Sequence, residues 1–162
     1  MQPEPLNKKP LVIAGVVMGI GLGGFLDGIL FHQLLQIHNM LSAKYPPNTV
    51  RNLEINMFWD GLFHTLTYIM TIVGLGLLWR ASKRTDVPWS GKIFIGALFT
   101  GWGLFNFCEG VINHHVLHVH HVVEKHGESL FDYGFLASGV FFSFWENAWS
   151  ALAKKLPASA PL

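Results

Sequence analysis

The chain has 162 residues and a net charge of +1, and only 13% of it is Asp, Glu, Lys or Arg, about half the share usual in a soluble domain. With 51% hydrophobic residues, 17 glycines and a mean hydropathy of +0.36, it is too apolar to be disordered and offers no basic face for nucleic acid. A single cysteine, Cys108, excludes an intrachain disulfide and any multi-cysteine zinc or iron–sulfur site within one chain, leaving nine histidines as the anomaly.

Four apolar stretches follow in chain order: Leu11 to Phe31, Met57 to Trp79, Ile93 to Ile112 and Leu130 to Ala153. Each is near the roughly 20 residues that cross about 30 Å of hydrocarbon as a helix. They predict helices over about 11–41, 54–82, 90–122 and 130–155 in a single transmembrane domain, 1–162. Lys8 and Lys9 ahead of the first stretch also suit a signal peptide, but the run exceeds the roughly 7–15 residues of an h-region and no small-residue cleavage site closes it. Pro46 and Pro47, Asp86 to Pro88, and Pro157 and Pro161 mark helix ends.

Eight basic residues (Lys8, Lys9, Arg80, Lys83, Arg84, Lys92, Lys154, Lys155) fall on one side of these spans and three (Lys44, Arg51, Lys125) on the other. The asymmetry predicts cytoplasmic termini, with the histidine-rich connections facing outward, to the periplasm or cell exterior.

The chain also repeats itself. A shift of 82 positions lays Gly19, Gly21, Leu22, Phe25, Gly28, His32, Leu35 and His38 onto Gly101, Gly103, Leu104, Phe107, Gly110, His114, Leu117 and His120. Asp27 then meets Glu109, while Gln33, Gln36 and Asn39 meet His115, His118 and His121. The second and fourth spans match more weakly, through Asp60 and Asp132, and Leu136 then answers to His64. The predicted fold class is therefore all-α: an integral membrane four-helix bundle built from two parallel two-helix repeats, whose axis is normal to the membrane. The glycines suit close helix packing near that axis.

Three strings carry a family resemblance: Gly-Gly-Phe-Leu-Asp-Gly-Ile-Leu-Phe-His-Gln-Leu-Leu-Gln-Ile-His-Asn-Met-Leu-Ser (23–42), Trp-Asp-Gly-Leu-Phe-His (59–64) and Glu-Gly-Val-Ile-Asn-His-His-Val-Leu-His-Val-His-His-Val (109–122). Over about Gly15 to Ala153 the chain resembles the DUF2243 family of bacterial membrane proteins. The resemblance implies a four-span protein of the bacterial inner membrane and no defined activity. Asn39 stands where the family pattern leads one to expect a second histidine after His38.

Ionisable groups at membrane depth are costly unless paired, neutralised or bound to a cation. Counting outward from the inner basic flanks places Asp27, Glu109 and His64 in one layer. His32, His114, Asp60 and Asp132 form a second layer roughly 6–8 Å further out. On regular α-helices Asp60 and His64 share a face, as do His114 with His118 and His118 with His121. Asp27 and His32, five apart, lie about 140° around the helix from one another, so a site using them needs ligands from other helices. The expected metal ligands are Asp27, His32, Asp60, His64, Glu109, His114 and His118. His38, His115, His120 and His121 form an outer entrance or second site.

Imidazole with carboxylate suits zinc, copper or iron, and the ion's identity stays open. The competing reading is that acids and histidines simply pair for helix packing. His126 reads as a loop residue, and Trp59, Trp79, Trp89, Trp145 and Trp149 as interface or packing aromatics. Glu146 and Asn147, opposite Asn106, read as hydrogen-bonding groups. The leading function is membrane metal handling or redox chemistry at a His/carboxylate site, mononuclear or dinuclear. The alternatives are a membrane-embedded metal-dependent oxidase or hydroxylase, in which Asp60 or Glu109 shuttles protons, and a b-type haem protein held by His32 or His64 with His114. The expected partners are the lipid bilayer, the metal ion and, as one way to complete the bundle, a second copy of the chain.

Overall fold

The computed structural model describes residues 6–144, and every regular element among them is helical. The first helix, α1, spans Lys9–Asp27 and continues as a π-helical turn over Gly28–Leu34. Pro10 sits in its first turn, where a missing N–H costs no hydrogen bond. Next comes α2, Val50–Ser82, and then α3, Gly91–Glu109, which continues as a second π-helical turn over Gly110–Val116. A 3₁₀ turn at Glu124–His126 leads into α4, Leu130–Ser143.

Thr49 caps α2: its backbone is extended (φ −132°) and its side chain accepts from the Asn52 N–H at 3.2 Å. Thr49→Ala orphans that donor, and a melt of the purified protein followed by helix ellipticity should show a loss of about 1 kcal/mol. An unchanged midpoint would mean that water replaces the cap without cost.

Helices α1 and α3 do not run on to 41 and 122 as the apolar pattern predicts; their helical turns end at Leu34 and Val116. Two residues later, Gln36 (φ 51°) and His118 (φ 46°) adopt left-handed backbone and send the chain back over the helix end. For residues with a Cβ that conformation costs on the order of 1–2 kcal/mol, so other contacts must hold the reversals in place. The returning segments are interleaved. The Ala43 N–H donates to the Val119 carbonyl (3.0 Å) and the Glu124 N–H to the Ile37 carbonyl (3.2 Å). At the opposite end the Asn7 N–H donates to the Asp86 carbonyl (2.8 Å), which puts Asn7, just ahead of α1, beside the α2–α3 connection.

Helix α1 packs against α2 and α3, and α3 packs against α4. The α1–α3 crossing is backbone on backbone: a Cβ on Gly19 would strike the Leu98 carbonyl, and one on Gly101 the Val16 carbonyl. Gly21 meets α2 at Thr67 and Thr71, and Gly103 meets α4 at Gly139 and Ser143. Only glycine lets helices approach this closely, as in membrane bundles.

Polar and apolar residues are distributed inside out. Asp27, His32, Asn56, Asp60, Asn106, Glu109, His114 and Asp132 are buried, whereas Leu22, Leu26, Leu66, Ile69, Ile72 and Leu75 lie outside. Water would penalise that surface heavily, while lipid does not. Three helices, Lys9–Leu34, Val50–Ser82 and Gly91–Val116, are long and apolar enough to cross a bilayer. The described part of α4 is apolar but shorter, at 14 residues. The rest of its predicted length, with Trp145, Glu146, Asn147 and Trp149, lies outside the described residues. Asn106 donates to the Ser138 hydroxyl at 3.0 Å.

Candidate metal centre

The two π-helical turns create the site. Bonding from i to i+5 makes neighbours of residues five apart, which a regular α-helix would separate. His32 Nε2 thus lies 3.4 Å from Asp27 Oδ2, and His114 Nε2 lies 3.2 Å from Glu109 Oε2. The expectation that Asp27 and His32 diverge is corrected on this ground: it assumed α-helical geometry where the chain is underwound into a wider π-helical turn.

On its other edge each of these imidazoles meets an acid from the following helix. Asp60 Oδ1 accepts from His32 Nδ1 at 2.8 Å, and Asp132 Oδ1 lies 3.2 Å from His114 Nδ1. Asp60 also accepts from the Met40 N–H (2.8 Å) and from Asn39 Nδ2 (2.9 Å). Asp132 accepts from the Val122 N–H (3.0 Å) and caps α4 through the Ser129 N–H (2.9 Å). Asp60 and Asp132 therefore stand behind the imidazoles rather than beside them, orienting the rings as an outer carboxylate orients a metal-bound histidine.

The left-handed reversals bring in two more imidazoles, His38 and His120, which stack at 4.7 Å between centroids and 10° between planes. His38 Nδ1 donates to the Val122 carbonyl (2.9 Å) and His120 Nδ1 to the Met40 carbonyl (3.0 Å). With each Nδ1 committed, His38 Nε2 is left without a partner, while His120 Nε2 bonds Glu109 Oε1 at 2.7 Å. The ligand atoms of His32, His38 and His120 lie within 4.8 Å of one another, as do those of Glu109, His114 and His120. Sequence reasoning put His38 and His120 at the outer entrance. The signal that could have moved them inward is that they repeat identically whereas their histidine neighbours do not.

The other candidates lie elsewhere. His64 donates through Nδ1 to the carbonyl of Asp60 on its own helix (2.7 Å) and packs beside Gly28 and Phe63; neither of the two close ligand groups includes it. Asp60 is turned away from it towards His32. His118 does not share a face with His114, because the helix has ended; it is exposed, 5.9 Å between centroids from His121. His121 is buried with Nδ1 3.4 Å from Asp132 Oδ1. His115 donates through Nδ1 to the Gly110 carbonyl at 2.7 Å and packs against Tyr133. His126 stacks on Phe131.

Charge follows geometry in the connections. Burial, with His120 and His32 close by, pushes the His38 imidazole down to about 3, so it stays neutral and keeps a lone pair on Nε2. Burial acts the same way on His120, but the Glu109 carboxylate on its Nε2 outweighs it and holds that imidazole above its ordinary value. The imidazoles also touch one another: His32 and His38 meet edge to face at 4.6 Å, and His114 and His120 at 4.9 Å.

Long apolar helices wrapped around buried acids and imidazoles define a helical membrane protein with a polar core. The chain belongs to the DUF2243 family of predicted membrane proteins, whose profile matches residues 14–149. No solved structure matches it.

Proposed function

We propose that the chain is a four-span protein of the bacterial inner membrane that holds a transition metal on Asp27, His32, His38, Glu109, His114 and His120, for metal handling or redox chemistry. Asp60 and Asp132 are the outer carboxylates that orient the ligands. Both termini are cytoplasmic, and the centre lies near the outer face. His118 and His121, leading inward from the surface beside His114, form the entrance.

One observation carries this reading: buried polar atoms without a hydrogen-bond partner converge. Asp27 Oδ2, His32 Nε2, His38 Nε2, Glu109 Oε2 and His114 Nε2 all lack one. Each such atom costs about 1–3 kcal/mol when left unsatisfied, and a shared cation removes the cost for all of them. The acid–imidazole spacings of 3.4 and 3.2 Å suit the edge of a tetrahedron whose bonds are about 2.0–2.1 Å. Imidazole and carboxylate donors favour zinc, copper or iron.

The proposal includes a duplicated architecture of two parallel two-helix units. Its support is that contacts recur at the repeat interval: Gly19 with Leu98 against Gly101 with Val16, His38 with Val122 against His120 with Met40, and the reversals at Gln36 and His118. The surrounding histidines do not recur; Gln33, Gln36 and Asn39 stand opposite His115, His118 and His121, so the entrance belongs to the second unit alone.

Elemental analysis of the detergent-purified protein tests the reading. Stoichiometric metal is expected in the wild type, falling at least tenfold when His32 and His114 are both replaced by alanine. A wild type that stays metal-free after exposure to zinc, copper and iron would refute it, as would metal content indifferent to the double substitution.

A further inference from the structure

The carboxylates of the centre outnumber what one ion can neutralise. Asp27, Asp60, Glu109 and Asp132 are all buried, and among the described residues their ion pairs are with histidines, never with lysine or arginine. An imidazole that coordinates a metal does so as a neutral ligand, so in the loaded centre these four groups carry four negative charges. One divalent ion would leave two of them uncompensated at membrane depth, and two ions would leave none. Two cations this close repel each other, and the four carboxylates offset that repulsion.

The ligands also divide evenly. Each half offers an acid, a histidine five residues on and a second histidine after the reversal. His120 is near both groups, but its bond to Glu109 assigns it to the second. The halves are tied through the backbone of two residues. Met40 donates its N–H to Asp60, which orients His32, while its carbonyl holds His120 of the other half. Val122 donates to Asp132 beside His114, while its carbonyl holds His38. Whatever fixes one half's acid and histidine therefore fixes the backbone that aims the other half's second histidine.

Building on the metal-binding reading above, we infer that the centre takes two divalent transition-metal ions, one on Asp27, His32 and His38 and one on Glu109, His114 and His120, bound cooperatively through the backbone of Met40 and Val122. Filling the first half orders the second, so the second ion meets a site whose ordering cost is already met.

The experiment is a titration of chelator-stripped, full-length protein in lipid nanodiscs with Co(II), bound metal being counted after gel filtration and followed by its visible absorption. Two ions per chain taken up in one sigmoidal step are expected. One ion per chain would overturn this inference and leave the metal-binding reading standing; none would overturn both. His38→Gln removes a ligand of the first half only. The ion remaining in the second half should then bind at least tenfold more weakly than in the wild type. One ion held at wild-type affinity in that variant would show independent sites and overturn the coupling. The absorption of the remaining ion reports directly on whether the second half is still assembled.

Discussion

Alanine at Gly19 or Gly101 is expected to destabilise the protein more than any other single-methyl addition. Each new Cβ would be driven into a backbone carbonyl of the facing helix, Leu98 or Val16, with the carbonyl carbon behind it at 2.9 or 2.8 Å. A flexible side chain could rotate away; a helix backbone cannot, so α1 and α3 must separate along the whole crossing. Overpacking of a well-packed interior costs about 1–3 kcal/mol, and a rigid obstacle on both sides places these variants at or beyond the top of that range. The same separation would pull the two π-helical turns apart, so metal retention should fall with stability. Gly61→Ala and Gly76→Ala are the controls, since no atom lies within 4 Å of either Cβ position. Thermal midpoints in detergent that were equal across the four variants would contradict a backbone-on-backbone crossing.

Asp60→Ala should have the second large effect. Three donors converge on that carboxylate: His32 Nδ1, the Met40 N–H and Asn39 Nδ2. All are left without an acceptor in a region with little access to water. At about 1–3 kcal/mol for each unsatisfied donor, with part regained by relaxation, a net loss of about 3–5 kcal/mol is expected. Metal affinity should drop by about 10–100-fold through loss of ring orientation. Asp60→Asn keeps an acceptor oxygen in place and should recover much of the stability without recovering the affinity. Glu54→Ala, at an exposed position on the same helix, should do neither. Should urea or thermal unfolding rank Asp60→Ala with Glu54→Ala, the carboxylate would not be the junction that the hydrogen bonds describe.

Much of this arrangement was legible beforehand because membrane and repeat signals are local. Apolar runs gave α1, α2 and α3 and the start of α4, and the shift of 82 paired Asp27 with Glu109, His32 with His114 and His38 with His120. The cost of burying charge singled out Asp60 and Asp132 in weakly matched helices, and both lie against the repeated histidines. Asp60 and His64, four apart on α2, do not converge: the Asp60 carboxylate turns to His32 and His64 Nδ1 turns to the Asp60 carbonyl, a choice that spacing alone leaves open. The helix-face argument failed for Asp27 with His32 and for His114 with His118 because both pairs were placed on unbroken α-helices.

What the amino-acid order determined by itself was composition-level and periodic: an apolar, helical chain in which residues match at a shift of 82, with acids and imidazoles where they must find partners. The tertiary structure alone decided which atoms those partners are. The π-helical turns and the left-handed reversals at Gln36 and His118 arise where local preference is overruled, and they persist because the interleaved connections over-determine them. His38 is held by the backbone of residue 122 and His120 by that of residue 40, contacts between positions far apart in the chain. Backbone carbonyls carry no side-chain identity, so a carbonyl that aims a distant imidazole leaves no mark in the sequence until the chain has folded.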